Sequence, residues 1–231
     1  MINQHKIAVI IPAYNEEEAL PKVISDIPLF IDEVIVVDNG SVDNTFSVAR
    51  ELGATALLEK ERGYGAACLK ALEYLKNKKY DIIVFLDGDY SDYPEEMGLL
   101  VEPIIQKGFD LVIGSRMMGN REKGAMLPQA IFGNWLSTFL IKLFWNYNFT
   151  DLGPFRAIKY NSLVNLNMID RNFGWTVEMQ IKAAKQKLKC TEVPVRYRKR
   201  IGSSKVTGTL TGTIRASYKI LFLIFVSLFR K

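Results

Sequence analysis

Short β-branched, apolar runs alternate with polar, helix-forming stretches along the first half of this 231-residue chain. The apolar runs, which we predict to be strands, are Lys6–Ile11, Glu33–Val37, Ala54–Glu59, Asp81–Leu86 and Asp110–Gly114. Helical stretches of roughly ten residues separate these runs, which is the pattern of consecutive βαβ units. Such units place their strands side by side in a parallel sheet covered by helices. The sequence therefore predicts an α/β fold.

The second half of the chain has a different pattern. Ala125–Phe149 is long, aromatic and apolar, and Trp175–Lys187 is predicted to be a helix. Phe155–Lys159 and Glu192–Arg198 are predicted strands. We expect the latter strand at a sheet edge, because Pro194 has no N–H to donate to a neighbouring strand.

A run of ten almost wholly apolar residues, Ile220–Phe229, lies near the C-terminus between flanking cations. Its helical length covers about half of a bilayer core, so we do not expect it to cross a membrane. We predict a main domain over 1–213 and an apolar, basic C-terminal helix over 214–231. This helix is a candidate anchor at a membrane interface, and a core helix or a dimer interface is the alternative.

The charge of the chain is concentrated in its C-terminal fifth. From Lys182 onward thirteen Lys and Arg residues accompany one acid, Glu192, whereas the whole chain carries a net charge of +5. This composition implies phosphates, nucleic acid or an anionic membrane surface as a partner, or else a solvated basic face.

The residue types that are scarce exclude other chemistry. The single histidine, His5, argues against histidine acid–base catalysis and against a His-rich zinc site. Cys68 and Cys190 match no metal-binding spacing, and we expect both to be buried thiols of a reducing compartment. No signal peptide is expected either, because the N-terminal apolar run is too short for one.

Two carboxylates follow the fourth predicted strand as Asp87-Gly88-Asp89. Side chains alternate along an extended chain, so Asp87 and Asp89 can point the same way. Gly88 lets another backbone or a ligand approach closely. Convergent carboxylates at the carboxyl end of a strand form a hard-oxygen site for Mg²⁺ or Mn²⁺, at the place where ligands enter α/β sheets. A solvated turn is the alternative interpretation.

Eight motifs occur in one order and cover about residues 6–206. They are IPAYNEE (11–17), VVDNGSVDNT (36–45), RGYGAA (62–67), FLDGDYSDYPEE (85–96), GSR (114–116), DLGPFRAI (151–158), WTVEM (175–179) and RKRIGSSKV (198–206). With these motifs the chain resembles family 2 glycosyltransferases, in particular the polyprenyl-phosphate branch that includes dolichyl-phosphate mannose and glucose synthases. The resemblance implies a Rossmann-like GT-A fold with a mixed, mostly parallel sheet flanked by helices.

The same resemblance implies an activity. We expect a metal-dependent, inverting transfer of a hexose from a nucleotide-diphosphate sugar, GDP-mannose or UDP-glucose, to dolichyl or undecaprenyl phosphate. The enzyme would be cytoplasmic and peripheral at the inner, anionic membrane face. Sugar, base and oligomeric state stay open at this point.

The resemblance also assigns residues to the donor. Asp87 and Asp89 would hold Mg²⁺ or Mn²⁺ on the diphosphate, and Ser91 is a possible additional ligand. Glu16 is expected at the ribose and Asp38 at the base. The complete set of implied nucleotide-sugar residues is Pro12, Tyr14, Glu16, Asp38, Asn39, Gly63, Gly65, Asp87 and Gly88.

The resemblance implies Asp89, Asp151, Arg116 and Glu178 as catalytic residues. Asp151, a candidate general base, and Glu178 are the carboxylates on the acceptor side, and Arg116 is expected at the donor or the acceptor phosphate. A phosphate acceptor is already an anion near neutral pH, so it does not necessarily require a base. The implied phosphate-binding residues are Arg116, Arg156, Arg200, Ser203 and Lys205. The loop that contains the last three is expected to close over substrate.

Two other interpretations fit parts of the sequence. A nucleic-acid-binding module would explain the basic C-terminal fifth, but it leaves the carboxylates at strand ends and the apolar run 220–229 unexplained, so no nucleic acid is expected. A family 2 enzyme that acts on a soluble glycan or protein would explain the carboxylates but not the apolar run.

Overall fold

The protein was analysed as a computed structural model that describes residues 2, 4–202 and 210–229. These residues form seven strands and eight α-helices. The strands are β1 Ile7–Ala13, β2 Glu33–Asp38, β3 Thr55–Leu58, β4 Ile82–Phe85, β5 Leu111–Ser115, β6 Arg156–Lys159 and β7 Cys190–Pro194. The helices are α1 Leu20–Ser25, α2 Thr45–Glu51, α3 Tyr64–Leu75, α4 Met97–Lys107, α5 Pro128–Trp145, α6 Tyr160–Leu166, α7 Trp175–Lys185 and α8 Leu210–Phe229.

The strands form one sheet in the order β3-β2-β1-β4-β6-β5-β7. All strand pairs are parallel except those of β6, which is antiparallel to both β4 and β5. The strand β7 lies at an edge of the sheet, parallel to β5. This mixed, mostly parallel sheet confirms the predicted fold class and brings the carboxyl ends of β1, β2, β4 and β5 to one edge.

Helices cover both faces of the sheet, and the alternation along β1 shows how. Ala8 and Ile10 pack on the face covered by α3, α5, α6, α7 and α8. Ile7, Val9 and Ile11 pack on the opposite face, against α1, α2 and α4. Because all five side chains are buried, β1 is the central strand of a sheet with two apolar faces, and this explains its uninterrupted apolar sequence.

The structure differs from the predicted strands at two prolines. We predicted that Pro12 ends the first strand, but β1 continues to Ala13, and Pro12 is paired with Val37 of β2. The ladder between β1 and β4 already ends at Ile10, so the missing N–H of Pro12 interrupts no pair with β4. In contrast, the last strand does end at Pro194, four residues earlier than predicted.

The C-terminal helix α8 is longer than the apolar run, and it begins before residue 214, so the predicted domain boundary lies inside it. Ile224 is fully buried in the core, and the ring of Phe225 contacts Phe144 of α5, with centroids 5.9 Å apart. Among the described residues, no helix combines the length and the apolar character that a membrane crossing requires. Both cysteines are free thiols, Cys68 buried and Cys190 half-buried.

Candidate active site

Several of the predicted site residues lie at the carboxyl edge of the sheet. Asp38 is paired with Ala13 at the ends of β2 and β1. The antiparallel β6 begins at the same edge, where Arg156 is paired with Phe85. The loop that precedes β6 therefore approaches the carboxylates that follow β4.

The two carboxylates after β4 differ in their contacts. Oδ1 of Asp89 accepts hydrogen bonds from the backbone N–H of Ser91 at 2.9 Å and from its hydroxyl at 2.6 Å. Oδ2 of Asp89 lies 3.0 Å from Nη1 of Arg200. Oδ1 of Asp87 is buried and accepts no hydrogen bond in the described part of the chain. This pair thus offers one buried oxygen without a partner and one that is held by a guanidinium.

The surroundings of Asp87 favour a bound cation. Burial, followed by the negative charge of Asp89, raises the pKa of Asp87 to about 7. Within the described ranges, no group of three His, Cys, Asp or Glu side chains forms a metal site. Mg²⁺ commonly uses one or two protein carboxylates and takes its other ligands from phosphate and water. Asp87 and Asp89 fit this ligand set.

Residues predicted for the nucleoside lie at the same edge. Oε1 of Glu16 is 2.8 Å from Nη2 of Arg200, and Glu16 is largely buried. The guanidinium of Arg62 stacks on the ring of Tyr14, with its carbon 4.0 Å from the centroid. Oδ1 of Asp38 accepts the backbone N–H of Ser41 at 3.0 Å and thereby fixes the turn after β2. Tyr14 and Glu16 follow β1 and Asp38 ends β2, so they lie at the same edge of the sheet as the carboxylates that follow β4.

Asn39, which we predicted to bind the nucleotide sugar, forms three hydrogen bonds with the loop before α3. Its amide donates to the carbonyl oxygens of Glu59 at 3.2 Å and Glu61 at 2.6 Å. Its Oδ1 accepts the N–H of Gly63 at 2.6 Å. Asn39 therefore ties the loop before α3 to the end of β2.

The two glycines of the loop before α3 also serve the protein itself. A Cβ at Gly63 would lie 2.0 Å from the carbonyl oxygen of Arg171, and one at Gly65 would lie 2.0 Å from that of Asp170. The N–H of Ala66 donates to the Arg171 carbonyl at 2.9 Å. We predicted that these glycines let the backbone approach the nucleotide, whereas the backbone they admit is that of the loop before α7.

Arg116 and Asp151 form a bidentate ion pair. Nε and Nη2 of Arg116 donate to the two carboxylate oxygens of Asp151 at 2.8 and 2.6 Å. The backbone N–H groups of Arg116 and Gly153 donate to the same carboxylate at 2.8 and 3.0 Å. The negative charge of Asp151 holds the pKa of Arg116 well above its usual range, against the effect of burial. A fully buried carboxylate with four donors is poorly placed to accept a proton from substrate.

Arg156 does not reach the surface of the described structure. It is fully buried, and its guanidinium donates to the carbonyl oxygens of Leu152, Gly153 and Thr176. Burial lowers its pKa to about 10. Arg156, which we predicted at the acceptor phosphate, holds the turn after Asp151 against α7 in this structure.

Glu178 supports a turn as well. Its carboxylate accepts the N–H groups of Ile169 at 3.0 Å and Asp170 at 2.8 Å, and Nζ of Lys182 lies 2.7 Å away. Because Glu178 is largely buried, these partners occupy the carboxylate that we predicted as a catalytic group on the acceptor side.

The basic segment after β7 places Arg200 beside Asp89 and Glu16. The other two predicted residues of this segment, Ser203 and Lys205, lie outside the described residues. Nη1 and Nη2 of Arg200 contact Asp89 and Glu16 respectively. The site therefore combines a carboxylate pair with the guanidinium of a long side chain. This combination suits the binding of a metal ion together with an anionic diphosphate.

Sequence reasoning missed two residues beside this segment. The guanidinium of Arg198 lies 3.3 Å from the ring centroid of Tyr90 and 4.0 Å from that of Tyr93. The Asp92 side chain is buried, and neither of its carboxylate oxygens has a hydrogen-bond partner in the described chain. Burial, followed by the charge of Asp87, raises the pKa of Asp92 well above its usual range. The aromatic residues on either side of Asp92 were a usable signal for the arginine.

Comparisons with known proteins identify a family that this chain matches. The family model described as "Glycosyl transferase family 2" matches residues 8–164. The chain is 31% identical to a dolichyl-phosphate hexose transferase of Haloferax volcanii, over 87% of this chain and 86% of that protein. It is 28% identical to an undecaprenyl-phosphate mannosyltransferase of Micrococcus luteus, over 90% of each.

A solved structure has the same fold. It is glucosyl-3-phosphoglycerate synthase from Mycobacterium tuberculosis in complex with Mn²⁺, UDP-glucose and phosphoglyceric acid, with a TM-score of 0.77 and 22% identity. The match covers 97% of this chain and 80% of that one.

Proposed function

The chain belongs to glycosyl transferase family 2, and on this premise we propose that it transfers a hexose from a nucleotide-diphosphate sugar to a polyprenyl phosphate. The observation that carries the proposal is the carboxylate pair after β4. Oδ1 of Asp87 is buried and has no hydrogen-bond partner in the described chain, and Oδ2 of Asp89 contacts the guanidinium of Arg200. A pair of this kind fits Mg²⁺ or Mn²⁺ on a diphosphate. The named relatives support the acceptor, since both act on polyprenyl-type phosphates.

Asp87 and Asp89 would hold the divalent metal, with Ser91 orienting Asp89 through its hydroxyl. When bound, the metal supplies Lewis-acid stabilisation of the departing diphosphate. Arg200 adds positive charge at the same place. The nucleoside would lie beside Tyr14, Glu16 and Asp38, at the carboxyl ends of β1 and β2.

A phosphate acceptor fits the state of the other carboxylates. Asp151 and Glu178 are both occupied by structural donors. An acceptor that arrives as an anion attacks without giving up a proton, so it needs neither residue as a base. We therefore expect a single in-line displacement that inverts the anomeric centre, with a β-linked product from an α-linked donor and no covalent glycosyl-enzyme.

The outer surfaces of α5 and α8 support a peripheral position at an anionic membrane face. Phe132, Trp135, Phe139 and Leu143 are exposed along α5, and Tyr218, Phe222, Phe225 and Phe229 along α8. We call these eight residues the aromatic face. Both helices lack acidic residues, and the segment from Arg198 to Lys231 contains cations but no acid. Apolar, aromatic helix faces with basic flanks bind the interface of anionic bilayers.

The test is a transfer assay with labelled GDP-mannose and UDP-glucose, Mn²⁺, and either a short-chain polyprenyl phosphate or 3-phosphoglycerate. The latter serves because the related fold binds phosphoglyceric acid. We expect label in the lipid product, none without metal, and an anomeric configuration opposite to that of the donor. Transfer to phosphoglycerate alone would refute the acceptor, and trapping of a sugar ester on the protein would refute the displacement.

A further inference from the structure

Arg200 bridges two acidic residues at the carboxyl edge of the sheet. Its Nη1 lies 3.0 Å from Oδ2 of Asp89, and its Nη2 lies 2.8 Å from Oε1 of Glu16. About a quarter of the arginine side chain is exposed, whereas both acids are largely buried. The guanidinium therefore closes the solvent side of the carboxylate pair.

The backbone around Arg200 is fixed to the loop that follows Asp89. The N–H of Arg198 donates to the carbonyl of Ser91 at 2.9 Å, and the N–H of Ile201 donates to the carbonyl of Asp89 at 2.9 Å. The Arg198 guanidinium also donates to the carbonyl of Tyr90 at 2.7 Å. The backbone on both sides of Arg200 is thus fixed by hydrogen bonds. The Arg200 side chain is the part that can exchange partners.

The two kinds of cation compete for the same oxygen. Oδ2 is the oxygen of Asp89 that lies outside the bonds from Ser91, and Arg200 holds it. A divalent ion bound there would repel the guanidinium at contact distance. A nucleoside diphosphate brings anionic oxygens with which a displaced guanidinium can pair.

We propose that Arg200 is a resident counter-ion of Asp89 that a divalent metal must displace, and that the nucleoside diphosphate then accepts the released guanidinium. The proposal rests on the metal assignment of the proposed function. It makes Arg200 oppose binding of the metal alone and favour binding of metal and nucleotide together. Arg200 would thereby link the two ligands, so that each raises the affinity for the other.

The experiment measures the Mn²⁺ dissociation constant by electron paramagnetic resonance of free Mn²⁺, with and without GDP or UDP. Arg200→Gln removes the counter-ion, and Arg200→Lys keeps the charge. Arg196→Gln is the matched control, because Arg196 contributes the same charge to the same segment but pairs with Glu95 at 2.9 Å and with Glu96. Unfolding curves verify that each variant folds.

We expect Arg200→Gln to bind Mn²⁺ alone about tenfold more tightly than wild type, while the gain in Mn²⁺ affinity caused by the nucleotide falls by a similar factor or more. Arg200→Lys and Arg196→Gln should stay near wild type. Unchanged or weaker binding of Mn²⁺ alone by Arg200→Gln, or an equal gain in Arg196→Gln, would overturn the proposal. Failure of the wild type to bind Mn²⁺ even with either nucleotide would instead refute the metal assignment.

Discussion

Two groups of charged side chains lie at the same edge of the sheet, and they differ in how their hydrogen-bonding capacity is used. In the first, Asp87 has a buried oxygen without a partner, and Asp89 is held by a partly exposed arginine. In the second, Asp151 is fully buried, and its carboxylate accepts four hydrogen bonds, two from the Arg116 guanidinium and two from backbone N–H groups. An incompletely bonded, accessible group can take up a ligand, whereas a fully bonded one holds the fold.

Asp89 and Asp151 have different roles, although both stand in sequence motifs of the family. Of the two, only Asp89 has an oxygen that a ligand can bind without breaking a buried network of hydrogen bonds. We therefore expect substitutions in the first group to reduce ligand binding and substitutions in the second to reduce stability.

The largest effect is expected at Asp89. Asp89→Asn removes a charge from the metal ligand, and we expect hexose transfer to fall by about a thousandfold or more. The free energy of unfolding should change little, because asparagine can still accept the bonds from Ser91. Transfer rates and denaturant titrations measure the two effects, and transfer at the wild-type rate in EDTA would contradict the metal site.

The next effect concerns Arg156. Arg156→Met removes the guanidinium donors from the buried carbonyl groups of Leu152 and Gly153 and from that of Thr176, so we expect the free energy of unfolding to fall by about 2–4 kcal/mol. Urea titration measures this change, and Arg156→Lys should recover only part of it because lysine lacks the planar fork of donors. A stable Arg156→Met protein that has lost acceptor affinity would show that Arg156 contacts substrate after all.

A smaller effect is expected on the aromatic face. Replacing Trp135 and Phe222 by serine should weaken flotation with anionic vesicles by about tenfold, because both side chains are exposed and apolar. Point substitutions are preferable to removal of α8, which would uncover the core around Ile224. Replacing exposed Leu29, which lies between α1 and β2, is the matched control. Equal flotation of all variants would exclude this face from membrane binding.

The smallest effect is expected at Asp92, and its sign depends on pH. A carboxyl whose folded-state pKa is raised by burial loses stability as pH rises above the pKa of the unfolded chain. Asp92→Asn removes this cost, so we expect a gain of about 1 kcal/mol near pH 8 and a smaller gain near pH 5. Thermal unfolding at both pH values measures it, and a loss of stability at pH 8 would mean that the ionised form has a partner in the fold.

The alternation of strands and helices was sufficient to predict the α/β fold, because the inner strands β1, β4 and β5 are buried on both faces and apolar runs of this kind recur between helical stretches. The antiparallel insertion of β6 between β4 and β5 was not predictable, since the sequence of a four-residue strand does not specify its neighbours. The positions of Asp87 and Asp89 were predictable from the end of the fourth strand, whereas Arg200 was expected at the site only from the resemblance of its motif to the family.

The sequence did not predict the intrachain contacts of four site residues, Asn39, Gly63, Glu178 and Arg156. Their partners come from distant segments: the carbonyl of Arg171 lies against Gly63, and the carbonyl of Thr176 accepts from Arg156. A motif indicates which residue type stands at a position, but only the tertiary contacts show whether its bonds are already used.

The most direct test of the difference between the two groups is the free energy of unfolding of wild type, Asp89→Asn and Asp151→Asn, each with and without Mn²⁺ and a nucleoside diphosphate. A ligand that binds only the folded state raises this free energy. We predict that Asp89→Asn unfolds like wild type without ligand but gains nothing from it. Asp151→Asn should lose about 3–5 kcal/mol and keep the gain from ligand. The account would be contradicted if Asp151→Asn kept its stability and lost the ligand response while Asp89→Asn kept that response.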